Sequence, residues 1–213
     1  MIKAVFWDND GVLVDTERLY FKATQQVLST VGIVLTKEFF VHFVLVKGTG
    51  VFHLAKEIGL SDEDIQQLRS NRNDLYSTLL QRECLVIDGV KNVLTLLRNK
   101  YVMGIVTSSR KDHFDRIHAS SDILQFFDFI LTGNDFKKFK PDPEPYLMAL
   151  QKSGFKNTEC IVIEDSERGL LSAKAAELQC IVIPNEMTRG SDFSKADKVV
   201  TNVREIPDAL KLF

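Results

Sequence analysis

The chain has 213 residues, of which 45% are hydrophobic and 26% charged, with a formal net charge of −2. That is ordinary globular composition, long enough for one sizeable domain or a domain with an insertion, and it excludes a disordered chain. No excess of basic residues advertises a polyanion-binding surface, and the longest apolar stretch, Phe39 to Val46, is broken by His42 and far too short to span a membrane.

The first element is an apolar run, Ile2–Trp7, that ends abruptly in Asp8-Asn9-Asp10-Gly11-Val12-Leu13-Val14-Asp15. A run without polar alternation reads as a strand buried on both faces. Two carboxylates crowded at its end repel each other, and burying them is costly unless something compensates. A divalent cation is the expected compensator. No basic leader precedes an apolar segment, so no secretory signal is expected and the expected location is cytoplasmic. From about Glu17 to Glu83 no good strand follows. Arg18–Val31 has a helical pattern that stops at Gly32, and Val51–Ile58 stops at Gly59. Ser61 opens an acidic start, Asp62-Glu63-Asp64, to a helix running to about Gln81. The segment reads as an all-helical insertion.

Beyond it, strand-like and helical patterns alternate. Helices are expected over Val90–Arg98, Lys111–His118, Pro143–Lys152 and Glu167–Ala176, and strands over Val102–Thr107, Phe127–Leu131, Cys160–Ile163 and Ile181–Ile183. This alternation implies an α/β fold with a doubly wound parallel sheet. The expected organisation is a core domain of residues 1–16 and 84–213 carrying a helical domain of residues 17–83. Cys84, Cys160 and Cys180 form no CxxC pair, which argues against a zinc knuckle or a disulfide scaffold. Cys160 and Cys180 open strand-like runs and read as small buried residues.

In a doubly wound sheet, ligands bind at the carboxyl ends of the strands. Those ends carry Asp8 and Asp10 after the first strand, Thr107-Ser108-Ser109 after the second, and Glu164-Asp165-Ser166 after the fourth. Lys140-Pro141-Asp142-Pro143 lies in the loop beyond the third. Each piece alone has a bland reading: small hydroxyl residues cap helices everywhere, and a lone lysine is usually a surface residue. Together they suit phosphoryl transfer. A carboxylate attacks phosphorus, a Mg2+ ion offsets the repulsion between two anions, and a lysine and hydroxyls hold the other oxygens. A second acid serves the leaving alcohol and the attacking water.

Asp8-Asn9-Asp10-Gly11-Val12-Leu13-Val14-Asp15-Thr16-Glu17 resembles the first motif of the haloacid dehalogenase (HAD) superfamily. Thr107-Ser108-Ser109, Lys140-Pro141-Asp142-Pro143 and Glu164-Asp165-Ser166 resemble the other three, in order, so the resemblance covers essentially the whole chain. It implies that Asp8 is the nucleophile and Asp10 the general acid/base, and that Thr107, Ser108 and Lys140 bind the phosphoryl group. It also implies a Mg2+ site formed by Asp8, the Asp10 backbone carbonyl and Asp165, with Glu164 beside or within the shell. The helical insertion resembles the four-helix cap of the family, which closes over small substrates. An acid at position 10 suits a phosphatase or phosphomutase. Lys140–Tyr146 and Glu164–Ser166 most resemble the branch that holds phosphoglycolate and sugar-phosphate phosphatases and β-phosphoglucomutase.

Two departures weigh against the mutase. Tyr20 stands about where those enzymes place a hinge histidine, and Lys47-Gly48 is followed by Thr49, Gly50 and Val51 with no cap arginine. No second anion site is recognisable in the sequence, so hydrolysis of a small phosphorylated metabolite is the expected activity. A receiver-type signalling module is disfavoured, because its phosphorylated aspartate lies on a later strand and no helical cap interrupts its sheet. A binding protein that lost turnover would not be expected to keep the full residue set. His42 and His53 read as packing or surface residues, His113 and His118 sit on a core helix at a spacing that suits no metal pair, and Asn9 carries no signal. The expected partner is a phosphorylated small molecule, with no nucleic acid or membrane, and a monomer is the default.

Overall fold

The computed structural model describes residues 1–81 and 85–213. The expected boundary between 83 and 84, and Cys84 with it, lies outside the described residues. Six strands form one parallel sheet in the order β3-β2-β1-β4-β5-β6 among the described residues. They are β1 (Ala4–Trp7), β2 (Val102–Val106), β3 (Phe129–Leu131), β4 (Cys160–Glu164), β5 (Gln179–Val182) and β6 (Lys198–Val199). β1 is central, with Trp7 level with Ile105 on one side and Ile163 on the other. The chain runs outward to β3 and then crosses back to β4, so the strand order switches beside β1.

Both faces of the sheet are covered, and this explains the uninterrupted apolar runs. Val5, Trp7, Ile105, Ile161 and Ile163 belong to one buried cluster, and Ala4, Phe6, Val106, Cys160 and Val162 to another. Cys160 and Cys180 are free and buried, as the sequence suggests. The covering helices are α5 (Val90–Leu97), α6 (Lys111–Ile117), α7 (Glu144–Ser153), α8 (Glu167–Ala175) and the short α9 (Ile206–Ala209).

The segment between β1 and α5 is helical throughout its described regular structure. It contains α1 (Glu17–Ser29), α2 (Lys37–Phe40) continued by a π-helical turn over Val41–Val46, α3 (His53–Glu57) and α4 (Asp62–Leu80). At the start of α4, Ser61 Oγ accepts from the Asp64 N–H and the Asp64 carboxylate accepts from the Ser61 N–H, a complete capping box. These helices enclose their own apolar cluster, built on Val27, Leu28, Leu35, Phe40, Phe52 and Leu68. The apolar run Phe39–Val46 is part of that core: Phe40 and Leu45 are buried, and the Phe39 and Phe43 rings stack at 4.3 Å.

Three details depart from the sequence-based expectation. Strand β3 starts at Phe129 rather than Phe127, because Leu124–Phe126 forms a 3-10 turn first. Strand β6 is a two-residue, exposed edge whose Lys198-Val199 gives no apolar run to read. The turns and short helix from Val203 to Leu212 are likewise unforeseen. No helix of the described residues is long and apolar enough to cross a membrane.

Candidate active site

The carboxyl ends of β1, β2 and β4 open into a cavity of about 500 Å3. Asp8, Asp10, Thr107, Ser108, Lys140, Glu164 and Asp165 all line it, so every residue singled out in the sequence meets the others there. Asp8 continues the sheet ladder, its N–H donating to the Ile163 carbonyl at 2.9 Å. The chain then winds tightly, with the N–H groups of Val12, Leu13 and Val14 all reaching the Asn9 carbonyl. Gly11 permits this turn at a φ of +87°, and a Cβ there would sit 2.3 Å from Asp165 Oδ2. Both the dihedral and the close approach require glycine.

Lys140 is buried at the centre of the acidic group. Its Nζ donates to Asp8 Oδ1 at 2.7 Å, Glu164 Oε1 at 2.7 Å and the Val106 carbonyl at 2.9 Å, which uses all its protons. Glu164 is saturated as well. Its Oε1 also accepts from the Tyr146 hydroxyl at 2.7 Å, and its Oε2 accepts from the Asp165 and Ser166 N–H groups and the Ser166 hydroxyl at 3.1 to 3.4 Å. A Cβ at Gly169 would lie 1.9 Å from the Glu164 carboxyl, so helix α8 approaches this closely only without a side chain there. Burial opposes the charge on Glu164, but Lys140 and the donors around it hold its carboxyl below the usual value.

Asp8 and Asp165 are less well compensated. Burial pushes the Asp8 carboxyl up to about 8, against the pull of Lys140, with Glu164 and Asp10 adding to the rise. Burial also drives Asp165 well above the ordinary carboxylate range, helped by Glu17, Glu164 and Asp8. Asp165 Oδ2 accepts one hydrogen bond from Asn185 Nδ2 at 2.7 Å, and the same amide donates to Glu17 Oε2 at 3.0 Å. Asp8, Glu164 and Asp165 each bring a carboxylate oxygen to within 4.8 Å of the others. Hard oxygen donors with unneutralised charge are the chemistry that suits a divalent cation such as Mg2+, so the residues present fit one.

Asp10 stands apart from that cluster. Its Oδ1 accepts from the Thr16 hydroxyl at 2.5 Å, and its Oδ2 from the hydroxyls of Thr107 at 3.0 Å and Ser109 at 2.8 Å and from Asn9 Nδ2 at 3.3 Å. Ser108 Oγ is buried in the cavity wall with no hydrogen-bond partner among the described residues.

The opposite wall comes from the helical insertion. Tyr20 on α1 and Arg69, Arg72, Asn73 and Tyr76 on α4 line it. Arg72 is 8% exposed, and among the described residues its one side-chain hydrogen bond runs from Nε to Asn73 Oδ1 at 2.9 Å. Its guanidinium stacks over the Tyr20 and Phe52 rings, and among the described residues no carboxylate pairs with it or with Arg69. Burial lowers the Arg72 pKa, and the neighbouring Arg69 and Arg110 lower it further.

A family model described as haloacid dehalogenase-like hydrolase matches residues 5–183. The chain belongs to the haloacid dehalogenase-like hydrolase family. It is 29% identical to the phosphorylated carbohydrates phosphatase of Thermotoga maritima, over 99% of this chain and 99% of that protein. Its fold matches CbbY from Rhodobacter sphaeroides in complex with phosphate at a TM-score of 0.81 and 23% identity, covering 97% of this chain and 96% of that one. It also matches β-phosphoglucomutase from Clostridium difficile at a TM-score of 0.82 and 24% identity, over 100% and 96% of the two chains. The expected family and doubly wound fold therefore hold for this HAD-family hydrolase.

Sequence reasoning missed several residues at the site. Asn185 follows β5 at the same sheet edge, where it donates to Asp165 and Glu17 and where the strand-end rule would have found it. Arg69 and Arg72 of α4, which the sequence analysis did not single out, also line the cavity. His113 lines the cavity with its ring against Tyr76, and His118 Nε2 lies 2.8 Å from Asn9 Oδ1. His42 and His53 do pack, against Phe43.

Proposed function

We propose that the chain is a Mg2+-dependent phosphatase that hydrolyses a small phosphorylated metabolite, of sugar-phosphate or phosphoglycolate type, through an aspartyl-phosphate on Asp8. The observation that carries this reading is the division of labour between two carboxylates in one cavity. Asp8 sits in the three-carboxylate cluster against Lys140, while Asp10 is turned to hydroxyls beside it.

Asp8 and Asp165 would hold the cation with the Asp10 carbonyl, and Glu164 would keep Lys140 in place, since its own oxygens are already satisfied. The cation would supply charge neutralisation for attack on a phosphate dianion and keep Asp8 ionised despite burial. Lys140 stabilises the transferring oxygens as its contact with Asp8 weakens, and Thr107 and the free Ser108 hydroxyl bind the rest. Asp10 protonates the leaving alcohol and then deprotonates the water that attacks the acyl-phosphate. Residues 17–83 act as a cap over residues 1–16 and 84–213, with α4 forming the cavity roof.

Arg69 and Arg72, which pair with no carboxylate among the described residues, favour substrates that carry a second anionic group. They also keep a phosphomutase as a second reading, since such a reaction needs a site for a second phosphate. Hydrolysis of p-nitrophenyl phosphate with and without Mg2+, followed by a panel of phosphorylated sugars and phosphoglycolate, tests the proposal. No turnover by folded protein at any pH overturns it. Conversion of β-glucose 1-phosphate dependent on glucose 1,6-bisphosphate would establish the mutase instead.

A further inference from the structure

Asn9, between the two aspartates, is wholly buried, and its side chain bridges Asp10 to His118. Nδ2 lies 3.3 Å from Asp10 Oδ2, and Oδ1 lies 2.8 Å from His118 Nε2. The chemistry of the three groups fixes every proton in this chain. A carboxylate only accepts, so the amide atom facing Asp10 is the NH2 group. The amide oxygen then faces the imidazole and needs a donor, so Nε2 carries the ring proton. The other ring nitrogen, Nδ1, is buried with no partner among the described residues. A proton there would be an unpaired buried charge, and burial accordingly pulls His118 down to about 4. At neutral pH His118 is a neutral Nε2–H donor locked in one tautomer.

Asp10 accepts from three hydroxyls besides Asn9, those of Thr16, Thr107 and Ser109. Hydroxyl protons rotate toward whichever acceptor is present, and an arriving phosphoryl group competes for Thr107. An amide pinned by a buried ring cannot turn away. We infer that Asn9 and His118 form a fixed tether that orients the Asp10 carboxylate for proton transfer to the leaving group. Both are positioning residues, and His118 acts through Asn9. The inference rests on the proton role proposed above for Asp10.

The test uses the full-length chain with Mg2+ and a series of aryl phosphates from p-nitrophenyl to phenyl phosphate. kcat/KM reports the steps through phosphoryl transfer to Asp8, so water attack on the phosphoenzyme does not enter. The readout is the slope of log kcat/KM against leaving-group pKa, which steepens when the acid is misplaced. In Asn9→Leu, phenyl phosphate is expected to fall about tenfold further than p-nitrophenyl phosphate. His118→Phe should move the slope the same way, His118→Gln, which keeps an N–H donor, should restore it, and Asn9→Leu/His118→Phe should be no steeper than Asn9→Leu. A parallel drop at unchanged slope, the signature of a purely structural role, overturns the tether, as does an additive double variant. If Asn9→Leu does not fold, the contrast between His118→Phe and His118→Gln decides. A wild-type slope retained in Asp10→Asn would overturn the proton role of Asp10 and the tether with it. A changed slope in Asp10→Asn with wild-type slopes in Asn9→Leu and His118→Phe overturns the tether alone.

Discussion

On the sheet side of the cavity nearly every polar group is committed. Lys140 has no proton left to give, Glu164 accepts on both oxygens, and Asp10 takes hydrogen bonds from four neighbours. On the α4 side Arg72 is as buried as Asp8, and among the described residues its side chain hydrogen-bonds Asn73 alone and Arg69 makes no ion pair. The strand ends are preorganised for one fixed chemistry, and preorganised dipoles need no rearrangement when charge develops. On the helix face Arg72 is held by Asn73 and by the Tyr20 and Phe52 rings, with no carboxylate partner among the described residues.

The largest expected effect falls on the committed side. Asp8→Asn should abolish trapped phosphoenzyme and lower kcat by roughly a thousandfold or more. Equal phosphoenzyme yields from Asp8→Asn and wild type would show that another group is the nucleophile.

Next is a pH effect on the metal-free protein. The Asp8 carboxyl is raised to about 8 when folded, so the folded state holds that proton more tightly than the unfolded chain. The stability it contributes is complete below the ordinary carboxylate pKa and is lost as pH rises through 8. Melting in EDTA should therefore fall between pH 5 and pH 8.5, and Mg2+ should flatten the curve. A metal-free Tm that rises across that range contradicts the charge assignment.

His118 gives a smaller effect of opposite sign. Its folded pKa of about 4 lies below the ordinary 6.5, so its contribution is present above 6.5 and is lost as pH falls toward 4. That loss is about 3 kcal/mol. Thermal melts of His118→Phe should show a shallower acid limb than wild type.

The helix side should yield the smallest change and the most selective one. Arg72→Met is expected to raise KM about tenfold for a substrate bearing a second phosphate or carboxylate, and to leave p-nitrophenyl phosphate nearly unaffected. Equal losses on both substrates would mean that Arg72 supports the fold rather than the ligand.

The two sides also differed in how far the sequence revealed them. The sheet and its carboxylates were legible because buried parallel strands are unbroken apolar runs, and an acid at the end of such a run has no bland explanation. Arg69 and Arg72 were not, because a charged residue on an amphipathic helix looks the same facing solvent or facing a cavity. Asn9 and His118 are separated by 109 positions, and only the packing of α6 against the β1 turn brings them together. Strand β6 offers two exposed residues and no periodicity to detect.

The helices between β1 and α5 carry their own apolar cluster, distinct from the two that flank the sheet. A consequence concerns how such a molecule can change over generations. Substitutions that repack Leu35, Phe40 or Phe52 fall on the cluster of the roof and leave the strands that hold Asp8 and Asp165 in register. Preference for what is dephosphorylated can then drift while the means of dephosphorylation is inherited intact. A chimera that exchanges the roof for that of a relative should keep the chemistry and adopt new tastes.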